Sequence, residues 1–240
     1  MEKIDINKLP KHIAITMDGN GRWAKSKGKL RIFGHKNGVK AVRDTVEGAA
    51  EIGIEYLTLY AFSSENWNRP EREVNALMTL LVSAINKETK TLMDNNIRLS
   101  TIGDINKLPS KAQKELQEAI LKTKDNTRMT LVLALSYSGR GEIINAVQNI
   151  IKDGKKPEEI NEDTFQQYLT TKSVPDPELL IRTSGEYRIS NFLLWQIAYS
   201  ELYFTETLWP DFRRADLYKA ILNYQSRERR FGKTTEQLQK

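Results

Sequence analysis

The chain has 240 residues, and its 37 Lys and Arg outnumber its 31 Asp and Glu for a net charge of +6. Such an excess favours an anionic partner, whether a phosphorylated metabolite, a nucleic acid or an acidic membrane surface, without choosing among them. The absence of cysteine excludes disulfides, zinc–thiolate centres and thiol catalysis. Met1-Glu2-Lys3-Ile4-Asp5 lacks the apolar core of a secretion signal, and no apolar run approaches the ~20 residues that span a bilayer, so a cytoplasmic chain is expected.

Strand and helix patterns alternate along the chain. Ile13-Ala14-Ile15-Thr16-Met17 reads as a buried strand over 12–18, with Asp18 at its C-terminal tip. Gly19 and Gly21 free the backbone to turn and present N–H groups to an anion, and Arg22 adds a fork of donors suited to phosphate. One carboxylate beside a phosphate cradle is what a magnesium–diphosphate site requires. A helix over 36–52 stops at Gly53, a strand covers 56–62, and a further helix begins near Pro70. The latter carries Val74, Leu77, Met78, Leu81, Ala84, Ile85 and Leu92 at helical spacing, a core stripe. Strands at 97–103, 129–137, 178–183 and 201–205 and helices at 109–124, 139–152, 162–170 and 213–226 complete the pattern. Several strands are continuous apolar runs joined by connections of crossover length. The expectation is therefore one α/β domain over 1–240 with a mostly parallel central sheet flanked by helices, and a charged tail over 226–240.

In an open parallel sheet, ligands bind beyond the carboxyl ends of the strands. There fall Asp18 to Arg22; Ser63, Ser64, Glu65, Asn66, Trp67 and Arg69; Tyr137 to Arg140; and Arg182 to Ser190. Arginines, hydroxyls, amides and a few carboxylates fit two phosphorylated groups and a metal better than a peptide or a sugar. Each piece alone has an ordinary explanation. An Asp-Gly pair caps turns, Arg182 and Arg188 have Glu178 and Glu186 as surface partners, and the four tryptophans suit packing. His12 opens a strand as a structural residue, His35 stands just before a helix, and Glu201 begins an edge strand. Their convergence on one sheet edge favours a site. A phosphatase with Asp18 as nucleophile is disfavoured because Asn20 stands where a second acid belongs. No nucleic-acid motif accompanies the positive charge, so no nucleic-acid partner is expected. The joint presence of Asp18, Asn66, Arg182 and Arg188 argues against a catalytically silent subunit.

Met17-Asp18-Gly19-Asn20-Gly21-Arg22-Trp23-Ala24, Gly34-His35, Tyr60 through Pro70, Ile102-Gly103-Asp104, Ile181 through Glu186, Arg188 through Gln196, Glu201-Leu202-Tyr203-Phe204 and Trp209-Pro210-Asp211-Phe212 resemble, in order, the motifs of the cis-prenyltransferase family, over roughly residues 10 to 232. The resemblance is strongest to its bacterial members that make undecaprenyl diphosphate. It implies a six-stranded, mostly parallel sheet, an apolar product tunnel and a homodimer. It also implies condensation of isopentenyl diphosphate onto farnesyl diphosphate with Z geometry, magnesium dependence, and peripheral contact with the inner face of the cytoplasmic membrane for product release; other product lengths are the alternative. By motif, Asp18 and Asn66 would be catalytic, and Asp18 and Glu201 would hold the metal, the latter contributed across the dimer. Gly19, Asn20, Gly21, Arg22, Arg31 and His35 would hold the allylic diphosphate, and Trp23 and Trp67 would flank the substrate. Ser63 would support Asn66; Arg69, Arg182, Arg188 and Ser190 would hold isopentenyl diphosphate; Ser64, Glu65 and Ile189 are counted with the substrate contacts. Arg230-Phe231-Gly232 resembles a C-terminal motif that reaches a partner's site. The family's common Asn-Tyr-Gly-Gly-Arg stands here as Ser136-Tyr137-Ser138-Gly139-Arg140, and its Arg-Thr-Gly-Gly-Glu as Arg182-Thr183-Ser184-Gly185-Glu186.

No Asp-Asp-x-x-Asp motif is present, so the paired acidic clusters of trans-prenyltransferases are not supported. Either Asn66, a poor base, or the departing diphosphate takes the proton. Ala61, Leu77, Leu81, Ile85, Met129, Leu131 and Leu133 are the expected tunnel wall, and residues 64–75 the expected lid.

Overall fold

A computed structural model describes residues 3–230, Thr234 and Gln237. Its centre is a sheet of strands β1 (His12–Thr16), β2 (Tyr56–Ser63), β3 (Ile97–Ile102), β4 (Met129–Tyr137), β5 (Leu179–Arg182) and β6 (Glu201–Phe204). The order is β3-β4-β2-β1-β5-β6, and every pairing is parallel. The central strands are apolar on both faces, as parallel strands covered by crossovers must be.

Alternation along each strand divides the core. Ile13, Ile15, Leu57, Leu59, Leu179 and Ile181 point to one side. There they meet α2 (Arg31–Ile52), α3 (Glu71–Asp94), α4 (Ser110–Thr123) and α7 (Arg214–Gln225). Ala14, Val132, Ala134 and Leu180 point to the other side, where Phe192 and Leu193 cover them. Beyond that layer, α5 (Gly139–Lys152) and α6 (Glu162–Gln166) close a smaller cluster around Ala146, Ile150 and Phe165.

The six expected strands are all present, within two residues at each end. Two features near the N-terminus differ from expectation. Asn20–Ser26 is a short helix, α1, rather than a loop. Helix α2 starts at Arg31, so His35 lies within it. Gly34, placed before the helix in the sequence pattern, lies inside it and serves close approach: a Cβ there would lie 1.9 Å from the Asn20 carbonyl oxygen. The expected helix over 162–170 is helical only to Gln166. Of the charged tail, the Arg230-Phe231-Gly232 motif lies partly outside the described residues.

His12 is structural, as expected. Its Nδ1 donates to the Pro175 carbonyl (2.6 Å), and its Nε2 accepts from the Thr58 hydroxyl (2.7 Å). Burial pushes its pKa down to about 4, against the opposing pull of Pro175 and Glu178. Because the folded value lies below the unfolded one, the associated stability is complete above about pH 6.5 and is lost as pH falls toward 4, up to about 3 kcal/mol. Denaturant unfolding should show this loss, and His12→Gln should flatten the pH dependence over that window; an unchanged slope would refute the assignment.

Candidate functional site

The expected site residues gather beyond the C-terminal ends of β1, β2 and β5. Asp18 is fixed by its backbone. Its N–H donates to the Thr183 hydroxyl (2.9 Å), and its carbonyl accepts from the Thr183 hydroxyl (2.7 Å) and the Trp209 N–H (3.0 Å). Gly19 follows at φ +106, where a Cβ would meet Leu208 at 2.9 Å, so only glycine makes this turn without strain. The Asp18 carboxylate accepts the Gly19 N–H at 2.6 Å and Arg182 Nη2 at 2.9 Å, with Arg22 at 3.5 Å. Partial burial opposes ionisation, but the hydrogen bonds from Arg182 and Gly19 and the charges of Arg182 and Arg22 outweigh it and hold the carboxyl below its usual range.

Arg182 is the buried member of this cluster, its side chain only 4% exposed. Its Nη1 donates to the Arg188 carbonyl and to Ser190 Oγ (2.5 and 2.7 Å), while its Nε is buried without a partner among the described residues. Arg22 and Arg188 both pair with Glu186, at 2.9 and 2.5 Å. The loop holding them is bent by residues in the left-handed region, Ser184 (φ 80), Ser190 (φ 49) and Asn191 (φ 60). Ser184 stands where the related motif has glycine, which explains that preference; here its Oγ accepts from Arg22 at 2.5 Å. Ser136, where the motif has Asn, is likewise left-handed (φ 48) and accepts from Trp67 Nε1 at 2.9 Å.

A second cationic cluster lies across Asp18. Arg31 and Arg69 share Glu73, at 3.4 and 3.1 Å, and the Arg31 guanidinium packs over Gly21. His35 faces the same space with Nε2 buried and unpartnered among the described residues. Its pKa is pushed down to about 4, first by burial and then by the charge of Arg69. Asn20, whose Oδ1 also lacks a partner, and Asn66 line this space. The Asn66 side chain is held by a reciprocal cap with Ser63 across the 3₁₀ turn Ser64–Asn68, and its Oδ1 accepts the Ser63 N–H at 3.2 Å. Ser64 donates to Glu65, which accepts from Asn191 at 2.7 Å, joining the expected lid to the 184–191 loop.

An apolar cavity of about 250 Å³ runs from His35, Asn66 and Arg69 between α2, α3 and the sheet. Ala61, Leu77, Leu81, Ile85, Leu131 and Leu133 line it as expected. Ala61 is the unpaired residue of a β2 bulge against β4, which turns it toward the cavity. Met129 is not in the lining: it begins β4 and is packed in the core, 2% exposed. Trp23 and Trp67 do not line the cavity either. Trp23 stacks on Phe33, and Trp67 packs edge-on against Phe62. Ile189 packs partly buried against the layer around Phe192. Glu201 lies at the opposite edge of the sheet. It is level with Leu179 and Ile13, about 10 Å back from the level of Thr16, and pairs with Arg227 at 2.7 Å. Within one chain it does not reach Asp18.

Glu73, Thr183 and Glu186 organise the site; the last two stand in the expected strand-end block, Glu186 as the expected partner of Arg188, whereas Glu73 escaped the sequence reading. The spacing of Arg69 and Glu73, i to i+4 across the start of a helix, was the available signal for the first. Among the described residues no three His, Asp or Glu side chains converge on a metal position, and the carboxylate held ionised between the arginines is Asp18. That donor set fits magnesium, which takes one or two carboxylates and completes its shell with phosphate oxygens and water.

The chain matches a family model described as putative undecaprenyl diphosphate synthase over residues 16–232. It is 57% identical over 234 residues to an isoprenyl transferase of Chlorobaculum tepidum, covering 96% of this chain and 88% of that one. It is 54% identical to a ditrans,polycis-undecaprenyl-diphosphate synthase ((2E,6E)-farnesyl-diphosphate specific) of Pasteurella multocida, covering 97% and 98%. Among solved structures, lavandulyl diphosphate synthase from Lavandula x intermedia in complex with dimethylallyl diphosphate superposes with a TM-score of 0.92 at 38% identity, covering 95% of this chain and 100% of that one. The chain belongs to the undecaprenyl diphosphate synthase family.

Two cationic clusters joined by one carboxylate should bind diphosphate. Inorganic diphosphate with magnesium at a hundred times its dissociation constant should stabilise the fold by about 2.7 kcal/mol, read as a rise of several degrees in thermal midpoint. Arg182→Met should remove most of that rise; an equal rise with sulfate at the same concentration would count against a diphosphate site.

Proposed function

We propose that this member of the family condenses isopentenyl diphosphate units onto farnesyl diphosphate with Z geometry to make undecaprenyl diphosphate, the precursor of the lipid carrier for cell-wall glycans. The observation that carries the reading is the position of Asp18 between two arginine clusters, one of which opens onto an apolar cavity. The activity for which the Pasteurella multocida relative is named supports the same chemistry.

In this reading the allylic diphosphate lies at the cavity mouth against Arg31, His35, Arg69 and the start of α1, with its hydrocarbon chain in the cavity. Isopentenyl diphosphate lies against Arg182, Arg188, Arg22 and Ser190; this exchanges Arg22 and Arg69 relative to the motif expectation, because Arg69 shares Glu73 with Arg31 and Arg22 shares Glu186 with Arg188. Asp18 would hold magnesium together with phosphate oxygens, and the bound ion would supply charge neutralisation for the leaving diphosphate. The allylic C–O bond breaks with its electron pair on the diphosphate, where the arginines stabilise the new charge. The double bond of isopentenyl diphosphate supplies the electrons of the new C–C bond, and a proton leaves to form the new double bond. Asn66 is a neutral amide whose Oδ1 already accepts the Ser63 N–H, so it orients rather than accepts. An oxygen of the departing diphosphate takes the proton.

A homodimer completes the proposal. The exposed apolar stripe of Ile144, Val147 and Ile151 on α5 offers an interface, and Glu201 of a second copy would complete the Asp18 site. No helix among the described residues is long and apolar enough to cross a membrane, so contact with the bilayer that receives the product would be peripheral.

Asp18→Ala should lower turnover of farnesyl and isopentenyl diphosphates by about 1000-fold while circular dichroism reports a retained fold, and chelation of magnesium should stop the reaction. Near-normal turnover would sink the assigned role. Leu133→Trp, which fills the cavity, should shorten the product on chain-length analysis, whereas Met129→Phe should chiefly lower stability; a full-length product from Leu133→Trp would remove Leu133 from the tunnel wall.

A further inference from the structure

We infer that the surface of residues 19–43 docks on an anionic phospholipid bilayer beside the cavity mouth, a deepening of the reading above in which a greasy product passes to a membrane. This segment holds Arg22, Arg31, Arg43 and five lysines, and no Asp or Glu. These eight cations exceed the +6 of the whole chain, so the rest of the molecule is slightly acidic. The arginines are engaged, Arg22 with Asp18 and Glu186, Arg31 with Glu73 and Arg43 with Glu88. Lys25, Lys27, Lys29, Lys36 and Lys40 are exposed, and among the described residues none has a carboxylate within ion-pair distance.

The local fold adds an apolar tip to this charge. α1 ends in a Schellman closure, with the Gly28 N–H on the Lys25 carbonyl, the Lys29 N–H on the Ala24 carbonyl and Gly28 at φ +63. The residue that would normally pack back on the helix is Lys29, so the turn projects outward. Leu30 follows at its tip, 80% exposed. Phe33, 39% exposed, lies one turn further on. Phe33, Lys36 and Lys40 share one face of α2 by their i, i+3, i+7 spacing, while His35, Gly38 and Val42 line the cavity on the opposite face.

Lysines framing exposed Leu30 and Phe33 match an interface of anionic headgroups over acyl chains. A single-stranded nucleic acid would want free aromatic faces. Here Phe33 stacks on Trp23, Lys27 covers the Trp23 ring at 4.7 Å, and Trp23 is only 8% exposed. Asn20 and His35, at the polar end of the cavity, belong to the same segment, so the docked face lies just across α2 from the diphosphate end of the cavity.

The test is flotation of the full chain with vesicles of phosphatidylcholine alone and of phosphatidylcholine with phosphatidylglycerol. The chain should float with the anionic vesicles only. The triple variant Lys27→Glu, Lys29→Glu, Lys36→Glu should lose at least about 100-fold in partitioning, at roughly five-fold per lysine. Leu30→Ser should lose about ten-fold. Neither variant touches the proposed catalytic residues, and both should condense isopentenyl diphosphate at the wild-type rate in detergent. Undiminished flotation of the triple variant, or equally tight binding of single-stranded RNA at the same salt, would overturn the inference. A chain that floats but makes no prenyl product overturns the enzymatic reading and leaves this surface standing; one that condenses but ignores anionic vesicles does the reverse.

Discussion

The site is organised by one buried guanidinium. Arg182 ends a strand in the middle of the molecule with its side chain almost wholly out of water, and a charge so placed persists only where acceptors surround it. It finds them in the Asp18 carboxylate, the Arg188 carbonyl and Ser190 Oγ. Those contacts fix the ends of β1 and β5 relative to each other and pull the 184–191 loop over the sheet edge. They also account for the strained backbone at Ser190 and Asn191, since the loop must fold back for its oxygens to meet the guanidinium. Removing one acceptor would leave the charge uncompensated, so Asp18 has a structural duty alongside any chemical one.

The remaining charges follow a common plan. Each cationic cluster includes a carboxylate that holds two arginines in place: Glu73 for Arg31 and Arg69, and Glu186 for Arg22 and Arg188. Without them, the guanidiniums of each group would repel one another across an open cleft. With them, the donors stay aimed at the space between the clusters, where a diphosphate competes for the same N–H groups with more charge and more oxygens. The depressed pKa of His35 belongs to this picture. Burial and Arg69 keep the ring neutral, and an anion at the mouth would reverse part of that bias.

The sheet was legible in sequence because its cause is local and repetitive. β4 spans Met129–Tyr137 as expected, since a continuous apolar run of that length suits a strand buried on both faces. Asp18 and the four strand-end loops were legible because topology sends the ends of parallel strands to one edge. The start of α2 was not: the pattern begins it at 36, and what calls for Gly34 inside the helix, the Asn20 carbonyl against it, is a tertiary contact. The contacts of Thr183 with Asp18 and of Glu186 with Arg22 gave no signal for the same reason, because these partners lie far apart in sequence, whereas Glu186 with Arg188, two residues on, was legible. Glu201 shows the limit of motif spacing most clearly. It sits in the right block, yet the sheet register carries it to the far edge, so joining it to Asp18 requires a second copy of the chain.

Helix α2 ties the chemistry to the exterior. Its inward face is made small by Gly34 and Gly38, which let α1 and Trp209 approach closely; Trp209 Nε1 donates to the Gly38 carbonyl at 3.1 Å. That approach sets Asn20 and His35 at the cavity mouth, and further along the same face Val42 and Val46 continue into its apolar wall. One helix thus runs from the polar end of the cavity to its hydrocarbon end, with the opposite face exposed over the first turns. A chain-lengthening site of this shape has a polar entrance and an apolar interior that can be reached from the same side. The position of α2 lets one element govern both what enters beside Asp18 and which surface of the molecule the entrance faces.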